Sequence, residues 1–291
     1  MTGTPAGNLS VVVGSYRAVT TDANGMFSVE SARLGTYPAA LTGPGIVPRE
    51  TTIRPSADPM RLSVIPSGFD LVSFNEMFRG ENARLQRWTT RPSLVIIAST
   101  MALGTLSAET FTASSEQMSN DEVNQIVAHL TEGLSLLTAG TFTGFASVEV
   151  ERPNAGTKVT SMRSGTITAG RYTGIASLAN TIGYGRWLTT GDGTVIGGAL
   201  FLDRDFDHND ARRRLLRIHE LGHALGYQHV ASRTSIMNAS IGPGPTDFDR
   251  AGATIAFQRL PGNRAPDADP AGVARIASVS EGGGRWSDPS V

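Results

Sequence analysis

Residues 219–229 read His219-Glu220-Leu221-Gly222-His223-Ala224-Leu225-Gly226-Tyr227-Gln228-His229, and they hold three of the chain's five histidines. The pattern is H-E-x-x-H-x-x-G-x-x-H. With this chain's composition, five fixed positions coincide by chance on the order of 10⁻⁵ times. Upstream, Leu215, Leu216, Ile218, Leu221 and Leu225 recur near the helical period, and residues 211–224 contain no proline. That predicts an amphipathic helix, with Asn209 and Asp210 as candidate caps. On such a helix His219 and His223 are i, i+4 neighbours on one side. Gly226 can take a positive φ, end the helix and turn the chain so that His229 returns to the same place. Three imidazoles leave a fourth position open, the ligand count of a catalytic zinc site rather than a closed structural one. A structural site more often uses four ligands, commonly cysteines, and this chain has none. Glu220 stands beside the first ligand, too close to ligate comfortably but suited to take a proton from an activated water. The expected metal ligands are therefore His219, His223 and His229, the cofactor Zn2+, and the general base Glu220. The other two histidines, His129 and His208, are read as ordinary core or surface residues.

The elongated motif resembles that of the metzincin metallopeptidases. Ser235-Ile236-Met237-Asn238 follows His229 after a short loop, where that family has a tight turn with a methionine beneath the zinc. The resemblance gives Met237 that role, and a polarizable thioether suits an apolar floor under three imidazoles. Some metzincins add a tyrosine ligand two residues beyond the methionine; here that position is Ala239, which is closer to the matrixin branch. Matrixins usually have serine after the third histidine and proline two residues beyond the methionine, where this chain has Val230 and Ala239. Latency through a cysteine is impossible without a cysteine. The resemblance implies an α+β protease domain with a twisted mixed sheet, a zinc-binding helix and a C-terminal helix. It also implies a secreted or extracellular zinc endopeptidase acting on peptides or proteins. The opening Met1-Thr2-Gly3-Thr4-Pro5 has neither the basic nor the apolar region of a signal peptide.

Three segments are expected. Residues 1–60 hold short β-rich stretches between glycine and proline turns. Thr21-Asp22-Ala23-Asn24-Gly25-Met26-Phe27, followed by Gly35-Thr36-Tyr37, resembles the carboxypeptidase-regulatory-like β-sandwich, a module with no chemistry of its own. Residues 66–262 form the protease domain. Within it strands are expected at 93–99, 145–149, 166–178 and 194–203, with Gly191-Asp192-Gly193 as a hairpin turn. Residues 120–138 read as an amphipathic helix, and Thr246 with Asp249 as the cap of a last helix. Residues 263–291, with Pro-Asp-Ala-Asp-Pro and Glu-Gly-Gly-Gly, have the composition of an irregular tail. The alternating acids of 203–209 resemble a calcium loop but lack its glycine and distal glutamate, so a solvated loop is the better reading.

A net charge of −1 offers no electrostatic case for nucleic acid or an anionic membrane. No run reaches the ~20 apolar residues of a membrane span. A peptide substrate would lie antiparallel to an edge strand, expected at 194–203, whose Gly197-Gly198 permits close approach. Two other classes stay open on sequence alone: an inactive zinc-binding adhesion or binding module, and a zinc hydrolase of a non-peptide bond. Oligomeric state is not legible.

Overall fold

The computed structural model describes residues 4–29, 35–54, 60–103, 108–175, 181–240 and 242–271, and the backbone of Val279–Ser287. Its architecture is α+β with two sheets.

Near the N-terminus β1 (Ser10–Val13), β2 (Val19–Thr20), β3 (Tyr37–Thr42) and β4 (Arg49–Ile53) form an antiparallel sheet of order β2-β1-β3-β4. Period-2 alternation puts Val11, Val13, Ala39, Leu41 and Ile53 on one buried face. The Thr21–Phe27 pattern is a turn: Asp22 Oδ1 accepts from the backbone N–H of Asn24 and of Met26, and Gly25 has φ 70°. Among the described residues this module is a single layer, not the two stacked sheets of the expected sandwich. With few apolar residues of its own it leans on the rest of the chain. Arg49 Nη2 donates to Asp269 Oδ2 at 3.1 Å and Thr51 Oγ1 donates to the same oxygen at 2.8 Å.

The larger sheet comprises β5 (Ser93–Ala102), β6 (Thr110–Gln117), β7 (Val148–Glu151), β8 (Lys158–Thr160), β9 (Thr166–Thr173), β10 (Thr181–Thr190), β11 (Val195–Asp203) and β12 (Val279–Ser287). Its order is β12-β10-β11-β9-β5-β6-β8, with β7 also paired to β5. Pairing of β5 with β9 and of β9 with β11 is parallel; β10 is antiparallel to both its neighbours. The apolar run in β5 is explained by burial on both faces. Leu94 and Ile96 face the helices, whereas Val95, Ile97 and Met101 join Phe111, Tyr172 and Phe201 beneath the opposite face.

The helices are α1 (Leu71–Phe74), which runs into a π-helical turn Asn75–Arg79, α2 (Asn120–Leu137), α3 (Arg204–Asn209), α4 (Arg213–Ala224) and α5 (Asp247–Phe257). A capping box between Ser119 and Glu122 starts α2, and one between Thr246 and Asp249 starts α5. Helix α2 buries Val123, Ile126, Leu130, Leu134 and Leu137. Its Gly133 admits α4 closely: a Cβ there would stand 3.1 Å from Leu221 Cδ2. No helix among the described residues is long and apolar enough to cross a membrane.

Three further expectations change. The 203–209 segment is α3, not a solvated loop: Asp203 caps it by accepting from the backbone N–H of Asp205 and Phe206, and Asp207 is fully buried. Helix α4 begins at Arg213 without a side-chain cap; Asp210 is spent on Arg212, and Asn209 closes α3. The C-terminal stretch is not uniformly irregular. Residues 263–271 are anchored, with Asp267 1% exposed and paired to Arg259 at 2.6 Å, while Val279–Ser287 forms β12. Proline and glycine content depresses propensity, but paired carboxylates and an open sheet edge override it.

Candidate metal centre

Helix α4 carries His219 and His223 one turn apart on its buried side, and both are 0% exposed. At its C-terminus Gly226 takes φ 101°. The backbone N–H of Tyr227 donates to Gly222 O at 3.0 Å, and Trp88 Nε1 donates to Ala224 O at 2.9 Å, so the last carbonyls are satisfied. The reversed chain is held when the N–H of Gln228 donates to Met77 O at 2.8 Å and that of Val230 to Met237 O at 2.9 Å. His229 thereby comes alongside the helix. His223 Nε2 stands 3.2 Å from His219 Nε2 and 3.2 Å from His229 Nε2. The three expected ligands are brought together, and the cluster could hold a metal ion.

Ring orientation is set by backbone carbonyls. His219 Nδ1 lies 2.7 Å from Ile236 O and His223 Nδ1 2.7 Å from Tyr227 O. A carbonyl can only accept, so in both rings Nδ1 carries the proton and Nε2 presents a lone pair. Burial first, and then the neighbouring imidazoles, push His219 well below its usual value. His223 is held at about 3 by burial and then by His229, against the hydrogen bond to Tyr227 O, which works the other way. Burial lowers His229 as well. Neutral imidazoles with converging lone pairs are the state in which histidines ligate. Trp187 of β10 stacks on His223 with 9° between the planes and 6.2 Å between centroids.

Glu220 is 0% exposed, and neither carboxylate oxygen has a hydrogen-bond partner. Burial alone pushes its carboxyl well above the ordinary carboxylate range. The group lies under β10 in space left by two glycines. A Cβ on Gly183 would stand 2.4 Å from Glu220 Oε1, and one on Gly185 would stand 2.4 Å from His223 Cβ. A buried carboxylate without partners is costly and calls for an explanation in function.

Beneath the cluster the 235–238 turn closes through Asn238 N–H donating to Ser235 O at 3.2 Å. Met237 is fully buried and abuts α4, where a Cβ on Gly222 would meet its Sδ at 2.4 Å. The turn is pinned by Asp249 of α5, which accepts from Ser235 Oγ at 2.5 Å and from the N–H of Ile236 at 3.2 Å. Asp249 therefore both caps α5 and fixes the carbonyl that orients His219. Only the first role is legible from the capping pattern.

Behind α4, Asp207 accepts from Arg217 Nε at 2.7 Å and from Arg171 Nε at 2.8 Å, with all three side chains nearly or fully buried. Arg171 Nη1 also donates to Glu122 Oε1 at 2.5 Å, and Arg217 Nη1 to His129 Nδ1 at 3.0 Å. This network ties α4 to α2, α3 and β9. It explains Asp207 as an ion-pair partner and places His129 and His208 outside the histidine cluster; His208 Nδ1 lies 2.9 Å from Glu122 Oε1. Long-range pairing of this kind leaves no local sequence signal.

An open cleft of about 510 Å³ adjoins His229 and is lined by Val72, Glu76, Glu81 and Gln228. Glu76 fixes the following loop by accepting from the N–H groups of Ala231 and Ser232 at 2.9 and 3.0 Å. The expected edge strand is corrected. Val195–Asp203 is interior, between β10 and β9, and both it and β10 pack on α4. Periodicity and glycine content describe a strand's faces, not its neighbours.

Compared with known proteins, the chain matches no family model and no curated protein.

Proposed function

We propose that the chain is a zinc-dependent endopeptidase. The observation that carries this reading is the pairing of three neutral, convergent imidazoles with one buried carboxylate that has no other partner. Tetrahedral zinc with bonds of about 2.0–2.1 Å to nitrogen holds ligand atoms about 3.3 Å apart. The His223 Nε2 separations from His219 and His229, 3.2 Å each, fit that value, and all three ligand atoms lie within 4.8 Å of one another. His219, His223 and His229 would hold the ion, with the Ile236 and Tyr227 carbonyls fixing the tautomers of the first two.

A zinc ion held there would supply polarisation of the carbonyl and acidification of water toward a pKa of ~7. Glu220, buried beside the first ligand, would take the proton of the attacking water and pass it to the leaving amine. Met237 keeps the floor apolar and α4 in place. An extended peptide would pair with the outer edge of β10, in the place that β12 takes in this structure; Gly183 and Gly185 bring the β10 backbone close to α4. The same mode of recognition is what distinguishes a peptidase from a hydrolase of compact substrates.

Metal analysis tests the ligand set: about one zinc per wild-type chain and little in His223→Ala are expected. Glu220→Gln should retain zinc and lose about 10²–10⁴-fold in peptide hydrolysis. Equal zinc in wild type and His223→Ala, or undiminished turnover in Glu220→Gln, removes the reading.

A further inference from the structure

The outer edge of β10 is taken by the chain itself. β12 runs antiparallel along it from Thr181↔Ser287 to Thr190↔Val279, and β12 also lies against α4. A segment with a peptide's extended form therefore lies alongside β10 at the edge of the sheet, against the helix that carries His219, Glu220 and His223. Its register sets Gly284 opposite Gly185, the residue whose Cβ would collide with His223, and Gly282 opposite Trp187, which stacks on that same ring.

We infer that residues 279–287 are an autoinhibitory strap that closes the β10 side of the cleft and that substrate must displace. The inference rests on the peptidase reading for the meaning of the cleft. Two observations carry it beyond a simple sheet extension. His219, Glu220 and His223 are each 0% exposed with β12 in place, and of the cluster only His229 borders the open cleft. The strap's centre, moreover, is Gly282-Gly283-Gly284, three residues of low strand propensity placed opposite Trp187, Arg186 and Gly185. Such a centre is held by its backbone alone. It offers a peptide-cleaving site no side chain to seat, and it exchanges more readily than an ordinary strand.

The test uses the full chain with Gly282→Pro and Gly283→Pro together. Successive N–H groups of a strand point to opposite sides, so removing two adjacent ones deletes a bond to β10 whatever the phase. Expected results are lost amide-exchange protection along 184–188, unchanged zinc content, and kcat/KM for a short peptide raised about tenfold, the gain for a cleft closed ~90% of the time. A synthetic peptide of residues 279–287, added in trans, should reverse the gain. Loss of protection with unchanged kcat/KM overturns the strap. If neither protein hydrolyses peptides, the peptidase reading fails, and modification of the cluster histidines by diethyl pyrocarbonate in metal-free protein decides the strap. Faster modification in the variant upholds closure; equal rates overturn it. Gly283→Pro with Gly284→Pro replaces the first pair if that pair does not fold.

Discussion

Substituting Gly185 by alanine tests the contact on which the site geometry depends. The added methyl would stand 2.4 Å from His223 Cβ, 2.7 Å from Glu220 O and 3.1 Å from Glu220 Oε2. Two of those atoms belong to the rigid part of α4, so the methyl can be accommodated only by moving strand and helix apart by roughly 1 Å. Overpacking in a dense core costs about 1–3 kcal/mol, and contacts fixed by backbone fall at the upper end of that range. Alanine regains about 0.5–1 kcal/mol over glycine through unfolded-state entropy. The expected net loss is therefore ~2 kcal/mol in urea unfolding of the metal-free protein, with little change in m-value. Zinc should then add less stability to the variant than to the wild type, because the ligands no longer converge. Two comparisons sharpen the test. At Gly183 the nearest atoms are the side-chain ends Glu220 Oε1 and Leu216 Cδ1, which can rotate, so Gly183→Ala should cost less. At Gly68 nothing lies within 4 Å, and Gly68→Ala should stay within about 0.5 kcal/mol of wild type. A Gly185→Ala protein as stable as Gly68→Ala, with unaltered zinc affinity, would refute the close approach of β10 and α4.

The buried ion pairs lead to two further expectations. Asp207→Ala leaves Arg171 and Arg217 without their shared carboxylate and should cost about 3–5 kcal/mol in urea unfolding; a loss under about 1 kcal/mol would show that the network does not hold α4. For Glu122, burial raises the carboxyl, but donors from Arg171, Ser119 and His208 outweigh it and bring the group from 4.5 down to about 2. A depressed folded-state value means that its contribution is full above pH 4.5 and fades as pH falls toward 2. The stability gap between wild type and Glu122→Gln should therefore narrow across that window, and a gap constant from neutral pH into the acid range would refute the pairing.

Local pattern was enough where the physics is local. Helix α2 is legible from apolar residues at helical spacing behind the Ser119–Glu122 box, and α5 from Thr246 and Asp249, because caps and faces are set within a few residues. The histidine spacing is legible for the same reason: one helical turn stacks His219 and His223, and Gly226 permits the reversal toward His229, although the bond from Gln228 N–H to Met77 O that holds the reversed chain is long-range. The β10–β11 hairpin follows from Gly191-Asp192-Gly193, where the Thr194 N–H donates to Asp192 Oδ1 at 2.9 Å.

What tertiary structure alone decided is who stands next to whom. The expected edge strand at 194–203 is interior, because strand order depends on the crossovers and not on any strand's own residues. Asp207 read as a solvated acid and is a buried partner of two arginines, one of them 36 residues earlier in the chain. Asp267 and Asp269 lie in a Pro-Asp-Ala-Asp-Pro run typical of loose tails, yet they pair with Arg259 and Arg49. The glycine-rich strand at 279–287 forms because β10 leaves a row of backbone donors and acceptors to fill. A sequence carries the propensity of each segment; burial, which multiplies the strength of a charge pair and the cost of an unpaired group, comes only with the assembled fold.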